Sequence, residues 1–347
     1  MKLAKWQGLG NDYLIVEEAA LPAPLTRETI GLLCDRHLGV GSDGILLKTE
    51  PTGAVPGAVA RMRVFNPDGG EPEMCGNGIR MFARYLAGVG AVVGREFTVE
   101  TLAGPVTPRL LNDGAVRVDM GRARFRSDSV APEVAPGAPA TGAAGGADVV
   151  DAVLQAGGVD YRFTFVDVGN PHCVIFVDDP ATFDVAGVGP VIERHPFFPN
   201  RVNVEFICVE VDGSIRMRVW ERGVGETQAC GTGASAVGAA CVRLGRATSP
   251  VPVHLLGGDL TIEVEDGAEI GAGARTGAAC AAAEAGGAGS EAGRPAPQAG
   301  RASEANGAGA GSEGLRVFMT GAAEEVFTAE LSPELLHRLG WPAPSPY

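Results

Sequence analysis

Two stretches of this 347-residue chain repeat one another, and that duplication limits what the chain can fold into. Arg61–Gly78 (RMRVFNPDGGEPEMCGNG) aligns without a gap on Arg216–Gly233 (RMRVWERGVGETQACGTG), and nine of the 18 positions are identical. Composition alone would leave about one or two matches. A fainter echo sets Gly10-Asn11-Asp12 against Gly169-Asn170-Pro171, each followed by a β-rich run. Such a chain is expected to build two like halves. Packing accounts for Met62 and Met217, or Val64 and Val219, which alternate on one face of a strand. It does not account for Cys-Gly-x-Gly, since no core requires a cysteine and two glycines before a helix.

Around the repeats, short β-rich runs alternate with a few helices, which indicates an α+β fold rather than a parallel α/β sheet. Strands are predicted at Tyr13–Val16, Met62–Phe65, Glu96–Glu100, Ala115–Met120, Val174–Val177, Asn203–Val211 and Ile215–Trp220. Helices are predicted at Ile79–Ala87 and Ala234–Leu244, with Gly88 and Gly245 as stops. Residues 51–60 read as a loop. Residues 131–148 and 267–314 are dominated by small residues and cannot offset their ordering entropy by burial. The second is expected to be a disordered insertion between strands at Leu260–Val264 and Leu315–Met319. The chain then divides into an N-terminal half at 1–130, a linker at 131–148, a C-terminal half at 149–322 containing the insertion, and a tail at 323–347. The first strand of the tail is expected to pack back on the N-terminal half.

The net charge is −14 with a pI near 4.9. A nucleic-acid groove or an anionic lipid surface would call for the opposite sign. No stretch of about 18 apolar residues suggests a membrane span, and the N-terminal run MKLAKWQGLGNDYLIV lacks the build of a signal peptide, so a cytoplasmic protein is expected. The seven cysteines include no C-x-x-C pair, so free thiols are expected and no metal site is. Cys34, Cys173, Cys208, Cys241 and Cys280 lack the Cys-Gly-x-Gly context, and Cys208 and Cys241 read as core. His37, His195, His254 and His337 have no partner pattern.

Each repeat runs strand, loop, Cys-Gly-x-Gly, helix, which puts Cys75 and Cys230 at helix N-termini. Bare backbone N–H groups there favour negative charge, so the thiol pKa is expected to fall towards neutrality. The same N–H groups, including those of Gly76, Asn77, Gly231 and Thr232, can cradle a substrate carboxylate. Face to face, two thiols can serve one carbon from opposite sides, one removing a proton and the other returning one. That is the geometry for inverting a stereocentre. Carbanion charge would be held by N–H donors rather than by a pyridoxal sink, so no cofactor is expected.

The motifs that carry this chemistry resemble those of the diaminopimelate epimerase family: GLGNDYLIV (8–16), DRHLGVGSDG (35–44), NPDGGEPEMCGNGIR (66–80), GNPHCVIFV (169–177), RVNVEF (201–206), ERGVGETQACGTGAS (221–235) and MTGAAEEVF (319–327). The resemblance spans almost the whole chain outside the low-complexity stretches. It implies two pseudosymmetric domains, each a mixed or antiparallel sheet wrapped around a central helix, with the site between them. It implies interconversion of LL- and meso-diaminopimelate, a late step of lysine synthesis that also supplies peptidoglycan, and a homodimer. By motif, Cys75 and Cys230 are the proton-transfer residues, while His172 and Glu221 assist catalysis or position the substrate. Asn11, Asn66, Asn170, Asn203 and Arg222 match substrate-binding positions, and Asn77 and Thr232 belong to the carboxylate cradles. The chain departs from the family pattern at Gly44, Gly70, Pro72 and Ala322. Two other functions fit a paired Cys-Gly-x-Gly chain: a proline or hydroxyproline racemase with the same mechanism, and a redox sensor closing a Cys75–Cys230 disulfide.

Overall fold

The computed structural model describes residues 1–126, 148–265 and 314–342. The small-residue stretches, apart from their edges, and Cys280 lie outside the described residues. The expected insertion leaves and re-enters between Gly258–Glu265 and Leu315–Gly321, which pair antiparallel.

Among the described residues the strands form two sheets. The first has seven strands in the order Glu324–Glu330, Lys2–Gly8, Asn11–Glu17, Ile45–Thr49, Ala58–Phe65, Thr98–Thr101 and Gly104–Val106. The second has eleven. Its order is Arg109–Leu110, Val116–Ala123, Leu315–Gly321, Gly258–Glu265, Val251–Leu255, Ile215–Glu221, Asn203–Val209, Pro171–Phe176, Val159–Asp167 and Ala152–Ala156, with Gly225–Thr227 beside Ile215–Glu221. Strand connectivity is duplicated along with sequence. In the first sheet Asn11–Glu17 runs parallel to Ile45–Thr49, which runs antiparallel to Ala58–Phe65. In the second, Pro171–Phe176 runs parallel to Asn203–Val209, which runs antiparallel to Ile215–Glu221. Ala58 opens its strand inside the stretch read as a loop, because Ala58 and Ala60 pair with Thr98 and Val99.

The chain crosses from the first sheet to the second between Gly104–Val106 and Arg109–Leu110, well before residue 130. Val116–Ala123 pairs with Leu315–Gly321 in the second sheet. Glu324–Glu330 returns to the first sheet alongside Lys2–Gly8.

Helix α1 (Arg27–Cys34) is capped by a reciprocal Thr26–Thr29 box, an arrangement that contributes about 1 kcal/mol. The repeats each lead into a 13-residue helix, α2 (Gly76–Gly88) and α4 (Gly231–Arg243). Both begin three residues earlier than the apolar pattern alone suggested, because the glycines themselves form the first turn. Helix α3 (Val185–Glu193) was hidden in the sequence by Gly187, Gly189 and Pro190, which read as helix breakers. Gly189 is needed there, since a Cβ would lie 2.6 Å from Trp220 Cγ. Helix α5 (Pro333–Arg338) follows the returning strand. Helices α2 and α4 lie in one continuous apolar cluster that includes Trp6, Met62, Phe82, Met217, Val237 and Met319. The site is therefore seated on the core shared by the two halves. No helix of the described residues is long and apolar enough to cross a membrane.

Candidate active site

Cys75 and Cys230 are the N-caps of α2 and α4, both in extended backbone geometry. The Cys75 sulfur accepts from the Gly78 N–H at 3.2 Å, and the Cys230 sulfur from the Gly233 N–H at 3.4 Å. A thiol thus fills the place usually held by a hydroxyl or carboxylate, satisfying one of the unpaired N–H groups of the first turn. The two helix starts meet. A Cβ on Gly76 would lie 3.7 Å from Gly231 Cα, and one on Gly231 would lie 3.6 Å from Gly76 Cα, with Met319 packed against both. Glycine at both positions lets two positive helix ends share one place, which favours an anion between them.

The expectation that these thiols would be acidified is overturned. Burial pushes the Cys75 thiol up, against smaller downward pulls from the Gly78 N–H, the Tyr13 hydroxyl and the Asn77 N–H. Burial pushes Cys230 well above its ordinary value, and the Glu221 and Glu205 carboxylates push further the same way. Desolvation of the charged form outweighs the helix terminus. Cys75 is half-buried and Cys230 buried.

The polar residues predicted from sequence fall into three groups. Asn11, Asn77, Asn170 and Thr232 ring the two cysteines. Asn77 Nδ2 donates to Asn11 Oδ1 and to the Ala229 carbonyl, at 3.4 Å each, linking the halves across the helix starts. Asn11 Nδ2 donates to Asp43 at 2.8 Å. Asn170 Nδ2 donates to the Thr232 hydroxyl at 3.3 Å, and that hydroxyl lies 3.4 Å from the Cys230 sulfur. His172 and Glu221 form the second group. His172 is fully buried, with Nδ1 2.6 Å from Glu205 and Nε2 3.0 Å from Asn170 Oδ1. Both ring nitrogens are engaged, and Asn170 joins the ring to the Thr232 hydroxyl beside Cys230. Glu221 accepts from the Thr227 hydroxyl and faces Cys230, and its carboxyl is raised mainly by burial.

The third group stands apart by its hydrogen bonds. Asn203 is buried and spends its amide on the backbone, donating to the Pro171 carbonyl at 3.0 Å and accepting from the Arg222 N–H at 2.9 Å. Arg222 itself is exposed, its guanidinium donating to the Asn200 carbonyl at 3.2 Å. Asn66 is exposed in the turn closed by its backbone N–H to the Gly70 carbonyl at 2.8 Å.

Three buried groups escaped the sequence reading. The Tyr13 hydroxyl lies 3.7 Å from the Cys75 sulfur, and Cys75 is the first cause of the upward shift of its phenol. Glu205 is fully buried, with Oε2 lacking a hydrogen-bond partner among the described residues. Arg80 is fully buried and donates to Asn77 Oδ1 at 2.9 Å and the Gly76 carbonyl at 3.1 Å. A usable signal existed for Tyr13, which follows Gly-Asn-Asp as His172 follows Gly-Asn-Pro.

The turn carrying Asn11 is pinned by strain and packing together. Leu9 and Gly10 both have positive φ, 58° and 79°, at a cost of about 1–2 kcal/mol for the leucine. Leu9 is buried, and its backbone rests on Gly257 of the other half, where a Cβ would lie 1.8 Å from the Leu9 carbonyl oxygen.

Comparison with known proteins agrees with this geometry. The family model for diaminopimelate epimerase matches residues 3–126 and 164–282. The diaminopimelate epimerase of Moorella thermoacetica is 46% identical over 272 residues, spanning 76% of this chain and 91% of that protein. That of Desulforudis audaxviator is 47% identical over 278 residues, spanning 77% and 93%. Among solved structures, a probable proline racemase from Agrobacterium radiobacter K84 superposes with a TM-score of 0.60 at 14% identity, covering 95% of this chain and 92% of that one, a likeness of fold. With two Cys-Gly-x-Gly helix starts abutting at the heart of a duplicated α+β fold, and a family match running through both halves, the chain belongs to the diaminopimelate epimerase family.

Proposed function

We propose that this protein interconverts LL- and meso-diaminopimelate, with Cys75 and Cys230 acting on opposite faces of one α-carbon and no cofactor taking part. The observation that carries this reading is the contact between Gly76 and Gly231, which brings two cysteine-capped helix starts to one place. A carboxylate held by the free N–H groups of both first turns would put its α-carbon between the sulfurs. One thiolate takes the α-proton while the other thiol gives its own, and the charge that develops on the carboxylate is met by those donors. Asn11, Asn77, Asn170 and Thr232 offer neutral donors and acceptors to the reacting end, and Arg222 offers a bidentate grip to the distal carboxylate. Arg222 would have to turn inward to do so. The resemblance carried by the motifs implies a homodimer, which light scattering on the purified protein would test.

The experiment is turnover of LL-diaminopimelate in heavy water by purified protein without added cofactor. Deuterium should appear at one α-carbon of the product, and Cys75→Ala or Cys230→Ala should each abolish epimerisation. Turnover of proline or hydroxyproline without diaminopimelate turnover would replace this substrate by the racemase alternative. Activity that appears only after oxidation would favour a redox sensor.

A further inference from the structure

The duplication sets a leucine in one half and a carboxylate in the other at the same point of the sheet. Leu46 pairs with Ile15 on one side and Val64 on the other. Glu205 pairs with Val174 and Val219, and Val219 repeats Val64. Both side chains are fully buried against the first turn of a cysteine-capped helix. A Cβ on Gly78 would lie 2.9 Å from Leu46 Cδ2, and one on Gly233 would lie 2.9 Å from Glu205 Oε1. Leucine is thus enough to fill this place. A carboxylate there is costly, because it has left water and its Oε2 has no hydrogen-bond partner among the described residues. The charge answers to something other than packing.

Glu205 Oε1 lies 2.6 Å from His172 Nδ1, with both side chains out of solvent. A carboxylate at one ring nitrogen fixes which nitrogen carries a proton and how the ring is turned. From the ring a line of hydrogen bonds runs to the second sulfur. His172 Nε2 lies 3.0 Å from Asn170 Oδ1, Asn170 Nδ2 donates to the Thr232 hydroxyl at 3.3 Å, and that oxygen lies 3.4 Å from Cys230 Sγ. Since the Thr232 oxygen accepts from Asn170, its own proton is free to point at the sulfur, beside the Gly233 N–H at 3.4 Å. The first half needs no such line. Tyr13 stands two places before Ile15 as His172 stands two before Val174, and its hydroxyl meets Cys75 Sγ directly at 3.7 Å. The half with the tyrosine has leucine at the shared sheet position, and the half with the histidine has the carboxylate.

We propose that Glu205 is a positioning residue of the second cradle: by holding His172 Nδ1 it sets the ring, the ring sets the Asn170 amide, and the amide aims the Thr232 hydroxyl at Cys230. The sulfur then meets two donors, the hydroxyl and the Gly233 N–H, whenever it gives up its proton. Glu205 touches neither the sulfur nor the cavity in this scheme and acts only through His172. Its role in turnover rests on the two cysteines being the proton-transfer pair, whereas its hold on the ring can be measured without substrate.

The test compares Glu205→Leu, the residue the other half uses, with Glu205→Gln, which keeps an acceptor oxygen. In purified protein labelled with nitrogen-15 at histidine, nuclear magnetic resonance should show His172 with a proton on Nδ1, its signal far downfield as a short hydrogen bond requires. That signal should be lost in Glu205→Leu and kept, less far downfield, in Glu205→Gln. With diaminopimelate, Glu205→Leu should lower kcat by about a hundredfold and change KM by less than about threefold, and Glu205→Gln should recover about tenfold of that loss. In a Thr232→Val background, Glu205→Leu should lower kcat by no more than about twofold further, because the line it holds no longer ends on the sulfur. A purely structural Glu205 would lower the melting temperature and cost the same factor in both backgrounds. Should Glu205→Leu fail to fold, Glu205→Gln is carried through the same two backgrounds. An unchanged His172 signal in Glu205→Leu overturns the proposal, and so do losses of kcat that multiply in full with Thr232→Val. The resonance measurement uses no substrate, so its failure strikes Glu205 alone, whereas an unaltered protein that leaves diaminopimelate untouched strikes the proposed function.

Discussion

The two cysteine cradles share a backbone and differ in nearly every side chain that carries charge or a titratable proton. In the first, Gly78 looks onto Leu46, Tyr13 stands beside the sulfur, and Arg80 lies one turn on. In the second, Gly233 looks onto Glu205, His172 takes the place after the Gly-Asn pair, and Ser235 lies one turn on. Duplication therefore preserved what positions two sulfurs and diverged in what sets their protonation. An epimerase acting by two bases needs this division, because the sulfurs must mirror each other in space while one holds a proton that the other lacks.

The largest test of the comparison removes each sulfur in turn. Cys75→Ser and Cys230→Ser should each lower kcat/KM for epimerisation by about a thousandfold or more. A variant keeping near-normal turnover would show that the halves are not both required. Next comes a methyl group added to each cradle. Gly78→Ala presses on the end of the Leu46 side chain and should cost about 1–3 kcal/mol in denaturant unfolding. Gly233→Ala presses on a carboxylate held at 2.6 Å by His172 and should cost more, about 3 kcal/mol or above, by prising apart a buried pair. Equal costs would erase the distinction drawn between Leu46 and Glu205. A smaller effect is expected of Tyr13→Phe, which removes a donor from Cys75 alone. Steady-state assays should show kcat falling about tenfold with KM little changed.

The smallest effect concerns Glu221. Its carboxyl is raised in the folded state from the ordinary 4.5, chiefly by burial. The neutral form is thus the one the fold prefers. Its contribution to stability is complete below pH 4.5 and is lost as pH rises through the folded value. Glu221→Gln should leave stability at pH 4 unchanged and raise it near pH 8 by about 1 kcal/mol, flattening the curve measured by thermal unfolding. A parallel fall at both pH values would mean that Glu221 stabilises as a charged group.

The repeat made Cys75, Cys230, Asn11 and Asn170 legible, because each occurs twice in the same context. It brought the glycines of both helix starts with them, and these are the residues whose backbones touch. Arg80, Glu205 and Tyr13 have no identical counterpart, so a comparison of repeats passes over them. What marks them out is burial of a polar side chain near the helix starts, which no spacing encodes. The α+β class followed from the alternation of short strands with two apolar helices, and the match with relatives bears it out. Helix α3 did not follow, because its Gly189 suits packing against Trp220 rather than intrinsic helix preference, and Pro190 lies within it. The expected acidity of the thiols failed for a related reason: a helix terminus can be read from sequence, whereas the dryness around it cannot.

The meeting of Gly76 and Gly231 carries a thermodynamic consequence. Two helix dipoles brought nose to nose repel, and an anion lodged between them relieves that repulsion for both at once. Ligand occupancy and docking of the halves are then linked equilibria, each favouring the other. A carboxylate substrate seated there would act as a fastener of the very enclosure that works on it, and its concentration should then set how firmly the protein resists melting.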